Sequence, residues 1–99
     1  MIHHILQWSY KNETPREERA RIESELVALP SRIPMLERVE WGHIVDGNNP
    51  GYTRCFIMDF ADMDAVKAYI IHPAHEEFAV SFRAAYALHL VVDVEVQNG

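Results

Sequence analysis

Two histidines and a tyrosine lie close together in the segment Tyr69-Ile70-Ile71-His72-Pro73-Ala74-His75. Pro73 cannot continue a preceding helix, so the segment predicts a helix break where backbone groups are left without helical partners. Imidazoles titrate near neutral pH, which general acid–base catalysis requires. We therefore interpret His72 and His75 as candidates for general acid–base catalysis and Tyr69, one turn before the break, as a candidate donor of a hydroxyl to the same pocket.

Two further polar residues are predicted to point into an apolar layer. His4 shares one side of an alternating strand with Leu6 and Trp8. Arg54 shares a side with Phe56, and a buried guanidinium needs an acceptor, which is either a carboxylate of the protein or an anionic ligand. We therefore consider His4 a further candidate catalytic residue and Arg54 a candidate substrate-binding residue.

Each of these residues also has a purely structural interpretation. A histidine on an apolar strand face is often a core residue whose nitrogens bond backbone groups, and this is the alternative for His4. A His-Pro pair at a helix break is often a cap, which is the alternative for His72. Tyr69 has the helical spacing of a packing residue, and the alternative for Arg54 is an exposed position on a frayed strand.

Six histidines suggest metal binding, but their spacing does not favour it. Pro73 separates His72 from His75, and His3 and His4 point to opposite sides of a strand. The sequence contains no pair of cysteines and no His-Glu-x-x-His motif. It also contains no glycine-rich phosphate loop, nucleophile elbow or dinucleotide fingerprint. We therefore expect no metal site and no cofactor.

Length and composition indicate a single globular domain covering residues 1–99, with 48 % hydrophobic and 24 % charged residues. A net charge of −6 repels phosphate backbones and anionic lipid, so we expect neither nucleic acid nor a membrane as partner. The single cysteine, Cys55, excludes an intramolecular disulfide and is typical of a reducing compartment. The apolar runs are shorter than a membrane span, and residues 1–7 lack the features of a signal peptide, so we expect a cytoplasmic protein.

The first part of the chain predicts a strand followed by a helix. Residues 2–10 alternate with the period of two that is typical of strands. Thr14 is the predicted N-cap of the helix, with Pro15 at its first position and Glu17 completing a capping box. Pro30 is predicted to end this helix.

The rest of the chain predicts two strands, two helical segments and a last strand. The strands cover about 36–45 and 52–60 and are joined by a loop of turn-forming residues. Asp62 caps the second helix, and a further helix begins at Pro73. The last strand covers about 88–96. The order β-α-β-β-α-β predicts a ferredoxin-like α+β fold, an antiparallel sheet with helices on one face.

The predicted sheet has apolar residues on both faces, although its helices cover only one. Ile5 and Leu6 are adjacent in sequence and therefore point to opposite faces of the sheet, and the same holds for Phe56 and Ile57. An uncovered apolar face needs a second layer, and a second copy of the chain is the simplest one. We therefore predict a homodimer in which the sheets pack face to face.

Several segments resemble the stress-responsive α/β-barrel (Dabb) domain family. They are Met1-Ile2-His3-His4-Ile5-Leu6, Glu40-Trp41-Gly42, Gly51-Tyr52-Thr53, the run from Ala68 to Phe78, and Val92-Asp93. The pattern Tyr-x-x-His-Pro-x-His within that run is the most specific of them. The resemblance covers nearly the whole chain and implies a dimeric α/β barrel of ferredoxin-like subunits. Family members include plant stress-linked proteins and many bacterial proteins without an assigned activity.

The resemblance extends to a plant polyketide cyclase within this family, which performs an intramolecular aldol condensation without a cofactor. This resemblance implies that His75 is the general base, that Tyr69 assists it, and that His4 lines the pocket. A further pocket histidine of that relative is replaced here by Arg54. A permanent cation at this position favours a ligand with a carboxylate or an enolate.

Two functional hypotheses follow. In the first, the chain is a cofactor-independent cyclase, isomerase or lyase acting on a small carbonyl compound of polyketide or aromatic type. The predicted substrate-binding residues are Arg54, Trp8, Tyr52, Phe56, Phe78 and Phe82. In the second, it is a non-catalytic stress-response or small-ligand-binding protein on the same barrel. A cavity touching both His75 and Tyr69 favours the first hypothesis, and a filled interior favours the second. A third class of function, a haem-degrading monooxygenase of related barrel architecture, is supported by no motif in this sequence beyond the fold.

Overall fold

A computed structural model describes residues 1–97, which form a four-stranded antiparallel sheet with helices on one face. Asn98 and Gly99, the end of the predicted 1–99 domain, lie outside the described residues. The elements are β1 (Ile2–Tyr10), α1 (Arg16–Ala28), a 3-10 turn (Leu29–Ser31), β2 (Arg38–His43), β3 (Arg54–Phe60), α2 (Met63–Ile70), α3 (Pro73–Ala85) and β4 (Tyr86–Glu95). No helix in this range is long and apolar enough to cross a membrane.

The strands lie in the order β2-β3-β1-β4, and every neighbouring pair is antiparallel. The central strand β1 therefore pairs with β3 on one side and β4 on the other. Leu6 lies opposite Phe56 of β3 and Val91 of β4. The predicted ferredoxin-like fold is confirmed by this topology.

The core lies between the sheet and the helices. Alternate residues of β1 and β3 point inward, and Trp8 and Met58 are fully buried. The helices contribute apolar side chains that pack on this face, namely Ile22, Leu26, Val66, Phe78 and Phe82. Removing these side chains from water is the main force that holds the helices on the sheet.

The start of α1 differs from the prediction. The helix begins at Arg16 with Pro15 as its N-cap residue, and no side chain caps it. Thr14 instead donates from Oγ1 to the carbonyl of Ala85 at 3.2 Å, so the predicted Thr14 cap and capping box with Glu17 are wrong. A tertiary contact with the end of α3 uses the hydroxyl that the local pattern assigned to the helix.

The strand ends also differ from the prediction by a few residues. β2 covers Arg38–His43 rather than 36–45, because Leu36 lies in a turn in which its N–H bonds the carbonyl of Ile33. β3 begins at Arg54 rather than at residue 52. β4 covers Tyr86–Glu95 rather than 88–96 and follows α3 directly. Strand ends depend on where a partner strand stops pairing, which local alternation does not report.

Side-chain caps define the two helices next to the break. The Asp62 side chain accepts a hydrogen bond from the N–H of Ala65 at 2.9 Å and caps α2, as predicted. His72 Nδ1 accepts from the N–H of Ala74 at 3.1 Å and caps α3, in which Pro73 occupies the first turn. The structural interpretation of His72 as a cap is confirmed.

The outer face of the sheet is apolar, and no part of residues 1–97 covers it. The chain is only 16 Å across its thinnest axis, which is one sheet and one helical layer. The apolar side chains on this face are Ile5, Ile57, Leu88, Leu90, Val92 and Val94. Val92 is 53 % exposed. The two-sided apolar pattern of the sheet is therefore confirmed.

Candidate active site

A small cavity lies between the sheet and helices α2 and α3. Its volume is about 60 Å³, and its walls are His4, Leu6, Phe56, Met58, Tyr69, His75, Phe78, Ala79 and Phe82. A cleft of about 230 Å³ between α3 and β4 shares five of these wall residues, namely His4, Leu6, His75, Ala79 and Phe82. The cleft therefore connects the cavity with the surface of the molecule.

His75 is held in one tautomer by the helix break. Its Nδ1 lies 2.8 Å from the carbonyl oxygen of Ile70, the last residue of α2. A carbonyl oxygen only accepts, so Nδ1 carries the proton of the neutral ring and Nε2 keeps its lone pair. Burial lowers the pKa of His75, although the bond to Ile70 and the charge of Glu76 act in the opposite direction. The ring is therefore neutral at pH 7 and suited to accept a proton at Nε2.

Tyr69 lies in the wall next to His75. The two ring centroids are 4.5 Å apart in an edge-on arrangement, and the ring of Phe60 packs on the other side at 5.0 Å. Tyr69 is only 3 % exposed. Burial raises the pKa of its phenol well above the ordinary value. The hydroxyl therefore stays protonated and is suited to donate a hydrogen bond rather than to act as a base.

His4 is paired with a carboxylate across the sheet. His4 of β1 lies opposite Asp93 of β4, and its Nδ1 is 2.6 Å from Asp93 Oδ1. The carboxylate accepts the proton of Nδ1, which leaves Nε2 as the second ring nitrogen for contacts with a ligand. The His4 and Tyr69 ring centroids are 5.8 Å apart. The structure thus brings His4, Tyr69 and His75 into the walls of one cavity.

Three of the predicted substrate-binding residues share these walls, and Trp8 does not. Phe56, Phe78 and Phe82 line the cavity. Trp8 is fully buried deeper in the core, where its ring packs edge-on against Phe82 at 5.4 Å and against Tyr10 at 6.0 Å. It supports the cavity wall from behind and does not face the cavity.

Arg54 lies at the other end of the sheet face. Its Nε is 3.2 Å from Glu23 Oε2, and its guanidinium carbon lies 4.8 Å from the ring centroid of Tyr10. The Tyr10 hydroxyl donates to the same carboxylate oxygen at 2.9 Å. The sequence predicted either a protein carboxylate or an anionic ligand as the partner of this guanidinium, and the structure supplies the Glu23 carboxylate as an ion-pair partner. Arg54 therefore does not line the cavity.

Tyr52 also lies outside the cavity. It belongs to the turn before β3, where it borders a surface depression with loop residues between 44 and 51. The loop holds its backbone, because its N–H bonds the carbonyl of Asn49. In the sequence, Tyr52 has the same parity as Arg54 and Phe56 and so falls on the same side of the predicted strand. Strand alternation specifies the side but not the position along the sheet.

The remaining histidines are dispersed over the molecule. His3 lies on the outer face and bonds Asp59 at 2.6 Å, and His89 packs against the ring of Tyr86 at 4.5 Å. Across the described part of the chain, no group of three or more His, Cys, Asp or Glu side chains is arranged to hold a metal ion.

Two groups of this site did not emerge from the sequence reasoning. Asp93 is separated from His4 by 89 positions, so only the pairing of β1 with β4 brings them together. The Ile70 carbonyl has no side-chain signature. The helix break was the one available signal for it, since the last carbonyls of a helix lack helical partners.

Comparison with known proteins gives three findings. The chain is 29 % identical over 94 residues to olivetolic acid cyclase of Cannabis sativa, covering 93 % of each chain. The crystal structure of At3g17210 from Arabidopsis thaliana matches with a TM-score of 0.92 and 31 % identity, over 100 % of this chain and 98 % of the other. A protein from Jannaschia sp. CCS1, described as dimeric, ferredoxin-like and of unknown function, matches with a TM-score of 0.80 and 25 % identity, over 96 % and 98 %.

The family comparison agrees with the fold and with the sequence resemblance. The profile of the stress-responsive A/B barrel domain matches residues 2–96, which includes every strand and helix of the structure. The chain therefore belongs to the stress-responsive A/B barrel domain (Dabb) family.

Proposed function

We propose that this protein is a cofactor-independent enzyme that removes a proton next to the carbonyl of a small, partly apolar compound, with His75 as general base. The observation that carries the proposal is the cavity wall in which a neutral His75 and a protonated Tyr69 lie side by side. The similarity to a cyclase supports the same class of chemistry. The reaction class is a cyclisation, an isomerisation or a lyase reaction.

The proposed proton transfers follow from the hydrogen bonds of the two histidines. Nε2 of His75 takes the proton from the carbon next to the carbonyl, while Nδ1 stays bonded to Ile70. The Tyr69 hydroxyl donates a hydrogen bond to the oxygen on which the negative charge develops. His4 lies in the same cavity wall with Nδ1 held by Asp93, and in its protonated form it would donate from Nε2 to the same oxygen. None of these steps needs a cofactor.

The apolar walls support this mechanism. Phe56, Phe78, Phe82 and Met58 make the cavity wall largely apolar. In such surroundings a hydrogen bond to an enolate oxygen is stronger than in water, and a neutral imidazole is favoured over an imidazolium. The same walls select a substrate whose body is apolar.

A proton-exchange experiment on a simple ketone tests the proposed chemistry directly. The probe is 4-phenylbutan-2-one in D₂O, and the measurement is deuterium incorporation next to its carbonyl, followed by NMR. We expect the wild-type protein to accelerate exchange and His75→Ala to abolish the acceleration. His43→Ala, which removes an exposed histidine outside the cavity, is the matched control and should exchange like wild type. Equal exchange by His75→Ala and wild type would remove His75 from the mechanism.

The second candidate function is binding of a small ligand without catalysis. The observation that favours it is the small enclosed volume of about 60 Å³ among closely packed aromatic rings. Under this hypothesis His4 and His75 are satisfied structural groups. Binding of the ketone without any acceleration of exchange would support this function over the enzymatic one.

We also propose that the protein is a homodimer that pairs through the outer faces of its sheets. The uncovered apolar face of β1, β3 and β4 supports this assembly. The match to a protein described as dimeric and ferredoxin-like supports it as well. Burying such a face against a second copy removes it from water.

A cytoplasmic location remains a prediction that rests on the single cysteine.

A further inference from the structure

We propose that the substrate or ligand of this cavity carries a carboxylate, which Arg83 binds at the mouth of the cleft between α3 and β4. The inference rests on the proposed function, because it names the substrate class of the same site. Four observations carry it: the position of Arg83 in the cleft, its lack of an ion-pair partner among residues 1–97, the absence of acid in the cleft walls, and the apolar interior.

Arg83 and His89 are the exposed polar residues of the cleft. Both belong to its walls, together with His75. They are exposed, whereas Phe82 and Ala79 of the same walls are buried. Arg83 and His89 therefore lie at the solvent end of the cleft, beside the exposed Ile70 and Val91, and the buried apolar side chains lie toward the cavity. The positive charge of Arg83 is also close enough to contribute to the lowered pKa of His75.

Arg83 forms no ion pair with any residue that the structure describes, unlike two arginines elsewhere in the molecule. Arg54 is paired with Glu23, and Arg32 is paired with Glu77. α3 ends at Ala85, two residues after Arg83, and the positions three and four residues before Arg83 are Val80 and Ala79, so no acidic residue lies at helical spacing. The guanidinium thus keeps its donors for a ligand.

The walls of the cleft, as formed by the described residues, contain no carboxylate. They consist of His4, Leu6, Ile70, His75, Ala79, Phe82, Arg83, Tyr86, His89 and Val91. Asp93 lies near this region, but its carboxylate is bonded to His4. A chain with a net charge of −6 repels anions over most of its surface, so this cleft differs locally from the whole molecule. An arginine without a partner above an apolar interior matches a ligand with an apolar body and one carboxylate.

A pair of probes that differ in the carboxylate tests this inference. 4-Phenyl-2-oxobutanoate and 4-phenylbutan-2-one share the ring and the carbonyl, and calorimetry measures the affinity of each. We expect wild type to bind the carboxylate probe about tenfold more tightly, which is within the range for a hydrogen-bonded charge pair. Arg83→Gln should lose this preference and keep the affinity for the ketone. Arg83→Lys should keep part of it, because it retains the charge but not the planar fork.

Arg21→Gln is the matched control. It removes the same formal charge from an exposed helical position on α1 that does not line the cleft. The preference for the carboxylate should persist in this variant and weaken with added salt. An equal preference for the carboxylate probe in Arg83→Gln and wild type would overturn the inference. The inference would also fail if wild type bound the ketone but showed no preference for the carboxylate probe. If neither probe binds wild type, the proposed function fails first and the inference fails with it.

Discussion

His75 and Tyr69, the proposed acid–base pair, lie side by side in the cavity wall, and burial shifts their pKa values in opposite directions. It lowers the pKa of the imidazole and raises the pKa of the phenol. In both cases the neutral form is favoured, because a charge is poorly solvated among aromatic side chains. A neutral base next to a neutral donor is the pair that proton abstraction from carbon requires. Two measurable consequences follow at this scale.

Acidification should destabilise the wild-type protein more than a His75→Gln variant. The ordinary pKa of His75 is 6.5, and burial lowers it in the folded state. The unfolded chain therefore takes up the proton first, so stability is retained above pH 6.5 and is lost as pH falls toward the folded-state pKa. Urea unfolding between pH 7.5 and 5 measures the difference. If the free energy of unfolding of the wild type did not fall more than that of His75→Gln on acidification, the lowered pKa would be contradicted.

Removal of the Tyr69 hydroxyl should reduce activity with little loss of stability. Tyr69→Phe keeps the ring that packs against Phe60 and His75. We expect the rate of ketone exchange to fall roughly 10²-fold, as when one donor to a developing oxyanion is removed. Thermal unfolding of the variant serves as the control for the fold. Exchange at the wild-type rate would show that the hydroxyl does not contact the reacting oxygen.

At the scale of elements, the break between α2 and α3 positions His75, the proposed base. Because α2 ends at Ile70, the Ile70 carbonyl accepts the Nδ1 proton of His75 five residues further along. His72 then caps α3, and Pro73 starts it in a fixed conformation. One short interruption of the helix thus supplies the acceptor for His75, the cap of α3 and the orientation of the proposed base.

Loss of the His72 cap should weaken α3. We expect His72→Ala to cost about 1 kcal/mol in the free energy of unfolding, the typical value for an N-cap. His72→Asn should restore most of this stability, because its side-chain oxygen accepts from the same N–H of Ala74. Chemical denaturation of the three proteins measures the effect. An asparagine variant that is less stable than the alanine variant would contradict a capping role.

At the scale of the whole molecule, the uncovered sheet face determines the proposed assembly. β4 is an edge strand whose outward residues are apolar. A long, exposed apolar edge is an aggregation site unless it is covered. Pairing of two sheets covers this face in both copies. It also leaves the cavity on the opposite, helical side of each subunit.

A charge on the outer face should therefore produce a monomer. Val92→Asp places a carboxylate in the proposed interface, and burying an unpaired charge opposes association. Val27→Asp is the matched control, because Val27 is 55 % exposed on α1 and Val92 is 53 % exposed on β4. Sedimentation of the three proteins at micromolar concentration measures their mass. A monomeric wild type, or a dimeric Val92→Asp variant, would refute this mode of pairing.

The sequence by itself determined the elements and the local devices of this protein. Alternation identified the inward side of β1 and β3, and turn residues separated the elements. The pair His72-Pro73 indicated the helix break and the cap, because helix capping and the conformational restriction by proline act over a few residues. The Tyr-x-x-His-Pro-x-His pattern was specific enough to indicate the family, which the match over residues 2–96 confirms.

Only the tertiary structure decided which side chains share the cavity. Arg54 and Trp8 lie on the predicted side of their strands but outside the cavity, whereas Asp93 reaches His4 from 89 positions away in the chain. Thr14 likewise bonds the end of α3 instead of capping its own helix. The physical reason is that alternation is a local property, whereas strand register and helix packing join residues far apart in sequence. The partner of each charged side chain therefore depends on the assembled fold.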